Sequence, residues 1–246
     1  MNILQSAILL LYTTAFFSLT PGEGISAQHN LHHITWYNYI QQLRPARGLS
    51  LHTDVQLRQR DQFRNVSLMA ARTGVSVSLT ENLTIGAGGS CFVTGTLPLR
   101  NFQCEWRPHA EVVYSDRKPR WSYSMRLRTE QRYFRTMDQE FTDTPNNNTN
   151  RTRLRAEATR QVNKNWSATA GTELFFNPGS TGAPWWLDQH RVFIAATFKL
   201  SETFSIQPML MYFYVQQFMA DETENQLVYR LNFRHAIDLL RDGNRE

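Results

Sequence analysis

Residues 121 to 134 read Trp121-Ser122-Tyr123-Ser124-Met125-Arg126-Leu127-Arg128-Thr129-Glu130-Gln131-Arg132-Tyr133-Phe134, and this stretch decides the fold. Trp121, Tyr123, Met125, Leu127 and Tyr133 share one parity. Ser122, Ser124, Arg126, Arg128, Glu130 and Arg132 share the other. Successive side chains of a strand point to opposite faces, so the segment predicts one apolar face with aromatic ends and one face of consecutive charges. A soluble sandwich buries the first face in protein. A transmembrane barrel turns it to lipid and turns the charges into its lumen.

Working outward, the same alternation recurs along the chain. It predicts strands at 35–44, 49–60, 65–79, 83–93, 102–114, 121–134, 150–161, 166–177, 188–200, 204–218 and 225–239. Short, polar connections such as Thr80-Glu81-Asn82, Asn163-Lys164-Asn165 and Ser201-Glu202-Thr203 alternate with connections that are mostly longer, at 94–101, 135–149, 178–187 and 219–224. Short turns at one end and longer loops at the other are the pattern of outer-membrane barrels. Tyr114, Trp121, Trp166 and Phe204 lie beside the short turns, and Tyr133, Phe176, Trp185, Trp186 and Tyr214 near the long loops. Aromatic rings with a polar edge favour the headgroup level, so the two groups predict girdles.

The fold class expected is therefore an all-β antiparallel transmembrane barrel of ten to twelve strands with an Arg-rich lumen. Single-chain bacterial barrels usually have even strand numbers, and the strands from 49 onward make ten; 35–44 is then either an extra strand paired with a twelfth from 28–34, which is favoured, or a segment packed against the barrel. The segment 35–44 alternates poorly, since Trp36, Tyr37, Tyr39 and Ile40 occupy both parities. Residues 1–27 read as a cleaved signal peptide, with an apolar run from Ala7 to Leu19 and Ile25-Ser26-Ala27 before the cut, leaving 28–246 as one barrel domain. Mean hydropathy is negative, which speaks against later membrane helices but not against barrel strands.

The formal net charge is +5, and only Lys118, Lys164 and Lys199 are lysines. Arginines on strand parities, in an exported chain, argue against a nucleic-acid partner. The lumen is expected to hold Arg58, Arg107, Glu111, Arg126, Arg128, Glu130, Arg132, Arg151, Arg153, Arg155, Glu157, Glu173, Arg191 and Arg230. A register slip of one residue would expose all of them to lipid, at about 2–4 kcal/mol for each arginine near the midplane. Two readings of that lumen stay open. Interlocked Arg and Glu side chains would fill a structural barrel. Alternatively, an Arg-lined pore would favour small anionic solutes.

Cys91 and Cys104, the only cysteines, flank a loop on the same face of adjacent strands, and in an oxidising compartment a cross-strand disulfide is expected. No metal or cofactor is indicated. His29, His32 and His33 lack a completing carboxylate or thiol and read as a flexible N-terminal run. Glu105, Glu111 and Glu130 read as ion-pair partners rather than paired catalytic acids, and Gly86, Gly88 and Gly89 as aids to curvature or close packing. His190, at a strand start with lipid-face parity, is the single candidate base for a lipid hydrolase, but no Ser in a nucleophile setting accompanies it, so no enzymatic activity is expected.

Arg128-Thr129-Glu130-Gln131-Arg132, Asn150-Arg151-Thr152-Arg153-Leu154-Arg155, Thr172-Glu173-Leu174-Phe175-Phe176-Asn177, Asp188-Gln189-His190-Arg191 and, upstream, Trp36-Tyr37-Asn38-Tyr39 together resemble a family of outer-membrane β-barrels common in Bacteroidota, a domain of unknown function. The resemblance spans nearly all of 28–246. It implies a barrel in outer-membrane lipid and carries no catalytic residues; a monomer is the default expectation. It leaves three roles open: a pore, an accessory or structural subunit beside envelope partners, and a lipid hydrolase.

Overall fold

In the computed structural model the described residues are 31–60, 65–95, 102–137, 143–145, 148–178, 187–217 and 222–242. The expected signal peptide, His29, Trp185 and Trp186 lie outside them. Strands β1 (Leu31–Ala46), β2 (Leu49–Arg60), β3 (Asn65–Ser78), β4 (Leu83–Thr94), β5 (Phe102–Arg117), β6 (Trp121–Met137), β8 (Thr149–Gln161), β9 (Trp166–Phe176), β10 (Leu187–Lys199), β11 (Phe204–Gln217) and β12 (Glu222–Asp238) pair in one closed sheet. A three-residue strand, β7 (Asp143–Pro145), hangs on the far end of β6, and a short helix, α1 (Leu239–Asp242), follows β12.

The barrel thus has eleven strands, not the favoured twelve. Each strand follows its neighbour antiparallel, so an odd number forces the first and last to run the same way. β1 and β12 accordingly close the barrel as a parallel ladder, from Leu31 opposite Asn225 to Arg44 opposite Asp238. The slanted bonds of a parallel ladder are slightly weaker per residue, but closure leaves no sheet edge. His32 and His33 belong to β1, which corrects the reading of that run as flexible.

One device closes three of the short turns. Thr80 Oγ1, Asn163 Oδ1 and Ser201 Oγ each accept backbone N–H groups two and three residues ahead. A short polar side chain that mimics a backbone turn fits these positions. In the β1–β2 turn, Gly48 takes φ +72°, a left-handed conformation that suits glycine.

Exposed large side chains such as Leu51, Val55, Val75, Ile85, Val112, Leu127, Ile194 and Leu210 all carry the outward parity of their strands. Together they form an apolar belt around the barrel, far beyond the patch size soluble monomers expose. Beside the short turns the aromatics stack on one another: Trp121 on Tyr123 at 6.2 Å and Trp166 on Phe198 at 6.3 Å.

The expected disulfide is absent. In the β4–β5 register Cys91 stands opposite Trp106 and Cys104 opposite Val93, so the cysteines share a face but sit diagonally, and no bond joins them. Diagonal neighbours lie about 7–8 Å apart, beyond the roughly 4.4–6.8 Å between Cα atoms that a bridge spans. The intact mass of the folded chain is expected to be unchanged by reduction; a gain of two protons would show a bridge.

On the inner face, Gly74 of β3 and Gly88 of β4 stand opposite each other. A Cβ on Gly88 would lie 2.3 Å from the Thr73 carbonyl oxygen and 2.7 Å from Gly74 Cα. Backbone cannot yield as a side-chain tip can. Gly88→Ala is expected to cost roughly 1–3 kcal/mol or more, read as a lower urea midpoint in detergent micelles.

Candidate functional site

The barrel encloses a cavity of about 1070 Å³. It runs from Arg60 and Gly95, near the long loops, to Ser124, Glu157 and Arg234, near the short turns. Twelve arginines and four carboxylates line it. Of the fourteen residues expected in the lumen, all but Glu130 and Arg132 contribute to that lining. Those two sit in the wall, bonded to neighbours.

One side of the wall is an ion-pair ladder on β5, β6, β8 and β9. Glu105 accepts from Arg107 and Arg132. Glu130, only 3% exposed, receives Arg153 at 2.6 Å, with Arg107 and Arg128 each at 3.8 Å. Glu111 takes Arg128 at 2.6 Å and Arg126 at 3.9 Å, while Arg126 also reaches Glu173 at 2.9 Å. Arg155 pairs with Glu157 at 2.7 Å on its own strand. The guanidinium fork suits this, because its several N–H donors can serve two carboxylates at once.

A bulge extends the ladder. Leu187 pairs with Phe176 but Gln189 pairs with Phe175, so Asp188 is the extra residue. A bulge can re-aim a side chain that strict alternation would send outward. Asp188 takes Arg151 at 2.6 Å and is bonded by Asn177.

The other side, on β1, β2 and β10–β12, is built differently. Ile34, Trp36, Phe193, Ala195, Met209, Met211, Phe213 and Val228 form a buried apolar cluster on the inward face. Guanidinium groups lie over its rings. Arg58 is 3.8 Å from the Trp36 centroid, Arg191 4.2 Å from Phe213, and Arg155 4.5 Å from Phe193. Phe92 and Phe175, also inward, support Arg107 at 3.9 Å and Arg191 at 4.1 Å. Neutral amides hold further arginines: Arg230 donates to Asn232 at 2.7 Å and Arg234 to Gln207 at 3.2 Å, while Arg72 donates to Gln56 at 2.8 Å and also pairs with Asp54 at 3.2 Å.

These aromatic and amide partners were not picked out as site residues from sequence. Their signal was present all the same: Phe175 shares the parity of Glu173, and Phe193 that of Arg191. His190 points outward and is buried, with Nε2 2.8 Å from Thr172 Oγ1. No group of three or more metal-ligating side chains exists among the described residues.

The ladder is expected to dominate stability. Glu130→Gln leaves Arg107, Arg128 and Arg153 without their shared carboxylate, and should destabilise the barrel by about 3–5 kcal/mol, measured by chemical denaturation in micelles.

A family model described as a protein of unknown function, DUF2490, matches residues 34–225. A solved structure described as "NanC porin structure in rhombohedral crystal form" is similar with a TM-score of 0.47 and 12% identity, over 82% of this chain and 97% of that one. No curated protein matches the chain.

Proposed function

The chain belongs to the DUF2490 family, and from that premise we propose that it is an outer-membrane barrel, exported by a signal peptide at 1–27, whose Arg-lined interior admits small anionic solutes. The family has no assigned function, so the reading rests on the chain's own barrel. One observation carries it: twelve arginines and four carboxylates line a cavity of about 1070 Å³, and even with Glu105, Glu130 and Asp188, which bond lining arginines from within the wall, the arginines stay in excess. Low-dielectric walls around such an excess focus a positive potential, and mobile anions answer it. The apolar belt outside and the aromatic stacks beside the short turns support a place in lipid. Strands of 11 to 17 residues in the barrel are long enough, since a tilted crossing takes about 9–11.

We read the protein as not an enzyme. The hydrolase alternative depended on His190, whose ring nitrogen meets the Thr172 hydroxyl and no serine.

The full chain reconstituted in planar bilayers is expected to carry an anion-selective current in a potassium chloride gradient. Arginines of the ladder are poor probes, because removing one also frees a carboxylate. Arg58 and Arg230 have no ion-pair partner among the described residues within 4.0 Å. Arg58→Glu with Arg230→Glu should therefore move the reversal potential toward cation preference. A cation-selective wild type, or a closed barrel without current, would overturn the pore reading.

A further inference from the structure

The two walls treat charge in opposite ways. On the ladder, carboxylates both orient and neutralise the arginines. Around Trp36 the orientation is kept and the neutralisation is missing. Trp36 of β1 stands between Arg58 of β2 and Arg230 of β12, its direct partners on either side. Arg58 lies 3.8 Å from the ring centroid, Arg230 5.7 Å and Arg191 5.8 Å.

Neither Arg58 nor Arg230 has a carboxylate within ion-pair distance among the described residues; Asp54 and Glu173 act on Arg230 only from farther off. Arg58 Nε is buried without an acceptor, and its guanidinium lies on the indole face. Arg230 donates to Asn232 Oδ1 at 2.7 Å, and Asn38, with its amide turned to satisfy both of its atoms, accepts from Arg230 Nη2 at 2.7 Å. Arg191 donates to Gln189 Oε1 at 3.0 Å. Its carboxylate is Glu173 at 3.7 Å, which Arg126 already approaches to 2.9 Å. A π face or an amide oxygen fixes the direction of a guanidinium and leaves its charge whole.

We infer that Arg58, Arg230 and Arg191 around Trp36 form a binding site within the lumen for a compact dianionic oxyanion group of the phosphate type. The geometry explains each part of that description. Three guanidiniums gathered on one ring favour a single compact group over two separated carboxylates. Three positive charges, whose nearest carboxylates Glu173 and Asp54 are already held by Arg126 and Arg72, favour a dianion over chloride or a monocarboxylate. Planar N–H forks match tetrahedral oxygens in pairs, which a halide cannot exploit. The side chains adjoin the solute cavity, since Arg58, Arg191, Arg230 and Trp36 all line it.

The inference rests on the reading of the interior as accessible to anions, and the two are tested separately. Equilibrium dialysis of the full chain in micelles, at constant ionic strength, measures retention of inorganic phosphate and, in a second arm, of glycerol phosphate. Saturable retention that chloride displaces weakly is expected. Binding of both ligands points to a phosphate ester as the solute group, and binding of inorganic phosphate alone to the free ion. Arg58→Gln and Arg230→Gln should each weaken binding by about tenfold or more. Arg160→Gln, exposed beside Trp121 and outside the cavity lining, should leave it nearly unchanged. Every variant is first checked for folded, heat-modifiable migration, and if Arg58→Gln fails that check, Arg58→Lys, which keeps charge but loses the fork, takes its place with a smaller loss expected.

Retention that does not saturate, or R58Q and R230Q that bind like R160Q, would overturn the site. Bilayer current from the same preparation gives the other readout. Saturable binding without current removes the pore and leaves the site; anion current without saturable binding removes the site and leaves the pore.

Discussion

A guanidinium group cannot face hydrocarbon cheaply, and the rest of this structure follows from that. Each arginine turned outward near the midplane would cost about 2–4 kcal/mol. On β6, Arg126, Arg128 and Arg132 would together cost roughly 6–12 kcal/mol, as much as a typical domain's whole stability. Register is therefore set by charge before it is set by packing. Once Arg126 and Arg128 point inward, Leu127 must point outward, where it is among the exposed side chains of the apolar belt. Neighbouring strands are then locked in turn, because Arg128 can reach Glu111 across the β5 ladder only in this alignment.

The same constraint explains how much could be read in advance. All eleven long strands were legible, since inward charge and outward grease repeat with period two and polar turn residues separate them. Closure was not legible. β1 breaks the alternation because its inward face carries Ile34, Trp36 and Asn38, while Tyr39 faces outward. The inward Trp36 looks like a lipid-facing residue to any rule that equates apolar with outside. Its partner is a charge, Arg58, so the rule fails where a ring does a carboxylate's work of orientation. With the two faces of β1 unreadable, its parallel match to β12 is hidden in the sequence, and an even strand count is the natural expectation.

Two smaller features escaped for local reasons. Period-two reading sends Asp188 outward with His190, but the bulge beside Leu187 adds one residue, and Asp188 joins the ladder through Arg151. Parity also placed Cys91 and Cys104 correctly on one face and said nothing of their stagger. That stagger depends on hairpin register, which the pairing of Cys91 with Trp106 makes explicit.

Aromatic residues inside the barrel resolve a conflict between filling space and keeping charge. Were every inward arginine matched by a carboxylate, the interior would be rigid and close to neutral, and an anion would gain nothing by entering. Were the arginines left unsupported, their mutual repulsion and mobile side chains would blur any site. A cation–π contact contributes about 0.5–2 kcal/mol and holds the planar group flat against the ring. It fixes position without supplying a counter-charge. Phe92 and Phe193 carry Arg107 and Arg155, which have carboxylates as well, whereas Trp36 carries Arg58 and Arg230, which have none within 4.0 Å among the described residues. The barrel thus separates two demands on one residue type. Glu105, Glu111, Glu130 and Glu173 hold one wall together, and Trp36 on the other keeps Arg58 and Arg230 positioned and positive.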